Sequence, residues 1–189
     1  MPTLFLSAFL GLGLAAAAGL RTFLPLLILA VAARLHLFGV TLNPQAGWLA
    51  STPMLVGLCV AAAAELVADK IPLIDHALAA VGTVTRPLAG ALAAGAVFHQ
   101  LDPATAALAG LAIGAPTALA FHGVQSTTRL VSTATSAGLA NPIISLVEDV
   151  ASGLLALAAI AVPVIAALAV VALLLAGLRI RRGLGRQTS

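Results

Sequence analysis

The chain has 189 residues, 61% of them hydrophobic and only 8% charged, too few charges to cover a soluble globule. Its mean hydropathy of +1.15 predicts an all-α, polytopic membrane helical bundle of about six to eight membrane segments, at roughly 20 residues per crossing. A large soluble catalytic domain is excluded, and the formal net charge of +3 acquires meaning only from where the charges lie.

The first apolar run, Leu4 to Phe38, would make a helix of roughly 50 Å against a hydrocarbon core of about 30 Å. A break is therefore expected near Gly19-Leu20-Arg21-Thr22, ahead of Pro25, either as an interfacial turn or as a re-entrant element inside the protein. The Met1 end resembles a signal segment but lacks a basic n-region, so a retained first helix is expected. Between Gly39 and Pro53, Asn43-Pro44, Gly47 and Ser51 supply turn chemistry and Trp48 suits a membrane boundary. A second apolar run from Met54 ends in AELVADKIPLIDH, Ala64 to His76, where Pro72 disfavours continuous helix. A further segment is expected to start near Ala77 or after Arg86-Pro87 and to end around His99, before a tight turn at Leu101-Asp102-Pro103.

The second half opens with Ala104 to Phe121 and then becomes moderately polar, HGVQSTTRLVSTATSAGLANP, as for backbone buried by other helices or lining a hydrated cavity. Asn141-Pro142 reads as an N-cap and first turn. From Gly153 to Leu178 one tilted helix with a kink near Pro163 is expected. Arg179, Arg181, Arg182 and Arg186 come next; they predict a basic cytoplasmic tail at 179–189 on a single integral-membrane domain at 1–178, in contact with membrane lipids. No basic face with interleaved aromatics points to nucleic acid, and Cys59 is the single cysteine. Gly/Ala-rich stretches such as GLGLAAAAG and RPLAGALAAG permit close helix packing, including packing between copies as a homo-oligomer.

Polar chemistry is confined to few places. Glu65 and Asp69, four apart, share a helical face; two unpaired buried carboxylates there would take up a proton or recruit a cation. With Asp75 and His76 returning after Pro72, Glu65, Asp69, Asp75 and His76 form a candidate divalent-cation site. The alternative pairs Glu65 or Asp69 with Lys70 or Arg86 at a helix boundary. Glu148 and Asp149 point in different helical directions. Arg129 is a candidate counter-charge, and favourable placement near a helix N-terminus is the alternative. His122 accompanies the polar stretch and joins Arg21 and Asn141 among the candidate binding or coupling residues. Glu65-Leu66-Val67-Ala68-Asp69 also echoes Ser145-Leu146-Val147-Glu148-Asp149, a two-half internal repeat that would bring broken helices to one polar centre. No zinc-protease, phosphate-loop, dinucleotide or C-x-x-C motif occurs.

Four segments, GLRTFLPLL (19–27), ELVADKIPLIDH (65–76), TRPLAGAL (85–92) and NPIISLVED (141–149), resemble an uncharacterised bacterial integral-membrane family, domain of unknown function 4126. The resemblance implies a multi-pass protein of the bacterial cytoplasmic membrane and carries no established activity. The residues favour a small transporter-like protein moving an ion, a small polar solute or an anionic lipid. The alternatives are a membrane scaffold or assembly factor and a metal-dependent enzyme acting on a lipid phosphate.

Overall fold

The computed structural model describes residues 3–70, 72–163, 165, 168, 170–176 and 179, with the side chains of 72–77 and 79 outside the description. Among these residues every regular element is helical. The order is α1 (Leu4–Leu20), α2 (Phe23–Arg34), 3-10 turns at Leu37–Gly39 and Pro44–Ala50, α3 (Thr52–Ala68), α4 (Pro72–Ala96), α5 (Pro103–Ala109), a π-helical turn (Gly110–Gly114), α6 (Ala115–Ser136) and α7 (Asn141–Ala161). The stretch Pro103–Ser136 and α7 are long and apolar enough to cross a membrane, and Pro44–Ala50 with Thr52–Ala68, bent by 62°, makes up to a third. The chain is thus helical with two to three candidate spans, consistent with a membrane protein.

Helix α1 is apolar on every side, the pattern of a helix surrounded by protein, and it packs against α4, α6 and α7. Its last turns, Leu14 to Gly19, are buried. Small residues set how closely its neighbours approach: a Cβ on Gly19 would meet the Ala118 carbonyl and lie 2.6 Å from Phe121 Cβ. At the α4 crossing, a Cβ on Gly110 of the π turn would strike the Ala91 carbonyl and Gly95. These Gly/Ala faces are therefore filled within the chain. The outside is lined by Val60, Val67, Leu88, Leu111, Leu119, Leu130, Leu146 and Leu157, all exposed, while Arg21, Glu65, Arg86, Arg129 and Glu148 are buried. Apolar outside and charged within is the arrangement expected against lipid.

Several boundaries differ from the sequence expectation, each for a local reason. Helix α4 begins at Pro72 and continues through Pro87 instead of starting at Ala77 or beyond Arg86-Pro87. A proline at the start of a helix lacks only an N–H that would be orphaned anyway, and prolines are tolerated inside helices that neighbours enclose. The polar stretch after Phe121 stays helical to Ser136, and its hydroxyls are satisfied by bonding back within the helix: Thr127 to Gly123 O, Thr128 to Val124 O and Thr135 to Val131 O. Asn141 is not a side-chain cap: it is the first residue of α7, and its Nδ2 donates to Thr133 Oγ1 of α6. Helix α7 opens at Asn141-Pro142, as that signal predicts, and runs through Gly153 without a break to Ala161. Val162 leaves helical geometry at φ −144°, ψ 75°, as the residue before Pro163 must, and the described positions 163, 165, 168 and 170–176 are helical again. Tail positions 180–189 lie outside the described residues.

Candidate functional site

The break expected in the first apolar run falls at Arg21 and Thr22, and it lies inside the protein. Arg21 is extended, at φ −138° and ψ 128°, and has no exposed surface. Ending α1 and starting α2 in a dry place leaves backbone groups that water cannot reach, so protein groups must meet them. Among the carbonyls, Ala17 O accepts from Arg21 N and from Ser152 Oγ, Gly19 O from Arg86 Nη1 at 3.1 Å, and Leu20 O from Gln125 Nε2. Among the donors, Thr22 N and Phe23 N give to the two oxygens of Glu65 at 2.8 and 3.0 Å. Thr22 makes no side-chain cap of its own. A carboxylate from α3 takes that place, where the positive end of the α2 dipole favours it.

Arg21 is the hub of the charges around this break. Its Nη1 pairs with the Asp69 carboxylate, its Nε donates to Asp149 Oδ1, and its Nη2 donates to Ser145 O and Oγ at 2.9 and 3.0 Å and lies 3.5 Å from Glu148. Arg129 of α6 is the second hub, 2.9 Å from Asp69 and paired with Glu148 through Nη2 and Nε. Arg21, Asp69, Arg129 and Glu148 thus form a ring of alternating sign. Gln125 Nε2 donates to Glu148 at 2.7 Å, and Lys70 Nζ reaches Asp149 at 3.1 Å. Among the described residues, Glu65, Asp69, Glu148 and Asp149 converge with Arg21, Lys70, Arg86 and Arg129, four formal charges of each sign. Charges removed from water stay ionised only with such matching and with their remaining hydrogen bonds made. Lys70 is the exposed edge of the cluster, its side chain 42% exposed.

Arg86 differs from the other cations. Its Nη1 donates to Gly19 O and to His122 Nδ1, the latter at 2.9 Å. An arginine can only donate, so in the Arg86 contact His122 Nδ1 is the acceptor; Gln125 Oε1 lies 3.4 Å from the same nitrogen and Thr83 Oγ1 3.4 Å from Nε2. A crevice of about 240 Å³ opens between α2, α3 and α4, with Glu65 and Arg86 in its lining.

The structure brings together Arg21, Glu65, Asp69, Lys70, Arg86, His122, Arg129, Glu148 and Asp149. It does not bring in Asn141, which is occupied at the α6–α7 turn, and the side chains of Asp75 and His76 lie outside the described residues. Lys70 and Arg86 do not serve as the partners of Glu65 and Asp69: the nearer donors are the α2 backbone, Arg21 and Arg129. Glu148 and Asp149 sit beyond the first turn of α7, which holds no acidic residue. Among the described residues, no group of three or more His, Cys, Asp or Glu could hold a metal ion. Sequence reasoning missed Gln125, Ser145 and Ser152. Their signal was periodicity: His122, Gln125, Arg129 and Ser132 on α6, and Ser145, Glu148 and Ser152 on α7, recur at helical spacing as one polar face.

An all-helical chain with an apolar exterior and a compensated charge cluster at a broken helix defines a class of small membrane-type bundles. More specifically, the chain belongs to the family described as Domain of unknown function (DUF4126), whose model matches residues 8–182. Comparison with curated proteins and with solved structures gives no match.

Proposed function

We propose that the protein is a small transporter of the bacterial cytoplasmic membrane that moves an ion, a small polar solute or an anionic lipid past the polar centre at Arg21. The observation that carries this reading is the break between α1 and α2 inside the protein, surrounded by a balanced set of charges from α3, α4, α6 and α7 and their ends. Broken helices with facing termini are the usual way transporters place polar groups at membrane depth, and ionisable residues there serve pathways or relays. In this reading 1–178 is one membrane domain of six to eight segments, with α1 and α2 entering as a broken pair and the basic tail 179–189 on the cytoplasmic side. Segments 65–69 and 145–149 are counterparts in two halves, each supplying carboxylates to Arg21. Exchange of ion-pair partners between Arg21 and Arg129, through the shared Asp69 and Glu148, is the switch between access states.

Purified protein in liposomes tests this with three cargo classes: protons read by an internal pH dye, divalent ions read by an internal chelator dye, and labelled anionic phospholipid. Flux above protein-free vesicles for one class, reduced at least tenfold by Asp69→Asn, is the expected result. Wild-type vesicles that match empty ones for all three would end the proposal. A scaffold is the second reading, favoured by one observation: the orphan groups at the break are met by protein partners, which a purely structural cluster would also achieve.

A further inference from the structure

We propose that the crevice between α2, α3 and α4 binds a single-chain anionic amphiphile, with Arg86 holding its head. This deepens the transport reading and rests on it only for the idea that the bound molecule is cargo. Arg86 is 3% exposed, and its two hydrogen bonds go to neutral acceptors, a carbonyl and an imidazole. Among the described residues its Nε has no partner. Arg21, Arg129 and Lys70 all face carboxylates within ion-pair distance. The closest candidate anion for Arg86, Glu65, already accepts from Thr22 N and Phe23 N with its two oxygens, and its charge is met by the α2 N-terminus. Among the described residues, Arg86 is thus the one cation of the cluster that makes no ion pair. A carboxylate or phosphate presented to a guanidinium edge makes the charge-assisted bonds that this nitrogen lacks.

The rest of the crevice specifies the tail. Apart from Arg86, Glu65 and two threonines, its walls are apolar, with Phe23, Ala61, Ala64 and Val81 among them. Val81 is also 56% exposed, so the cavity opens on the apolar outside of the bundle. About 240 Å³ falls below the roughly 300–1,000 Å³ of sites that enclose a drug-sized ligand. It admits a head and the first methylenes of one chain, with the remainder lying along the outer faces of α3 and α4. A two-chain phospholipid does not fit inside.

Displacement of a fluorescent long-chain carboxylate from the full-length protein in non-ionic detergent tests the site, with oleate, dodecyl phosphate, dodecanol and inorganic phosphate as competitors. Oleate and dodecyl phosphate should compete, and dodecanol and inorganic phosphate should be at least tenfold weaker. Arg86→Gln should weaken oleate at least tenfold. Because Arg86 also bonds Gly19 O, Ala64→Leu provides the second variant: it fills the crevice without touching a charge, and should lose oleate at least tenfold with an unchanged melting temperature. Dodecanol competing as well as dodecyl phosphate, inorganic phosphate competing as well as oleate, or wild-type affinity in Ala64→Leu would each overturn the proposal. Binding without flux in vesicles removes the transport reading alone, and flux without binding removes this one alone.

Discussion

The chain breaks its helical path at Ser51 and again at Arg21, and the two breaks are held by different means. At Ser51, Pro44–Ala50 and α3 meet at 62°, and the new helix is capped by its neighbour in sequence: Ser51 Oγ accepts from Met54 N. Asn43 caps the preceding turn through Gln45 N in the same way. At Arg21 no local side-chain cap exists, and the side chains that close the break come from positions 42 to 135 residues away. The partly exposed break is closed by one neighbouring hydroxyl. The dry one needs a carboxylate, a guanidinium, an amide and a hydroxyl, each delivered by a different helix, and this requirement makes it sensitive to substitution.

The largest expected effect that tests this contrast is Arg21→Met. It leaves Asp69, Glu148 and Asp149 without their common partner, a loss of about 3–5 kcal/mol for breaking a buried pair, read by thermal unfolding in detergent. A variant within about 1 kcal/mol of wild type, on the order of a surface substitution, would mean that the cluster is not a unit. Next comes Gly19→Ala, whose Cβ meets backbone at Ala118 and should cost about 1–3 kcal/mol by overpacking. Gly57→Ala, with open space around it, should be neutral or gain up to about 1 kcal/mol. Equal melting temperatures for these two variants would contradict the close approach of α1 to α6.

Glu65→Gln and Ser51→Ala compare the caps directly. The first leaves a buried N–H with a poorer acceptor, at about 1–3 kcal/mol, and the second loses a helix cap, at about 1 kcal/mol. A larger loss at Ser51 would reverse the argument. The smallest effect belongs to another local cap. Asp102 starts α5, and hydrogen bonds from Thr105, side chain first and backbone second, hold its carboxyl below the ordinary aspartate value. A group depressed on folding stabilises above its unfolded value and loses that contribution as pH falls through the folded one. The acid branch of the stability profile should therefore flatten slightly in Asp102→Asn, while its neutral-pH branch falls.

Local features were legible in the sequence. The helix break at Arg21 came from a run too long for the bilayer together with a charge and a glycine, and the kink after Ala161 came from Pro163. The polar residues were visible as exceptions in an apolar chain, and Arg129 was legible as a counter-charge to Glu148. The pairing Arg21–Asp69 was not, because nothing within either segment encodes which helix will lie beside it. Glu65 shows the same limit: a carboxylate near Asp69 reads as one of a pair or a cation ligand, and only tertiary placement makes it the cap of a helix 42 residues earlier. Pro72 marked the break between α3 and α4 as expected, whereas Pro87 misled, since proline's effect depends on whether its position is a helix start or lies inside a packed helix.

The π turn at Gly110–Gly114 bears on how this chain can change length. Such a turn accommodates one extra residue while the downstream helix keeps its phase. Deleting Ala112 would return the stretch to ordinary winding with His122, Gln125 and Arg129 still aimed at their partners. The same deletion at Val124 would swing Arg129 by about 100° around the axis and away from Glu148. Loss of one residue is thereby best absorbed upstream of the charges, in a turn of two glycines, an alanine, a leucine and an isoleucine.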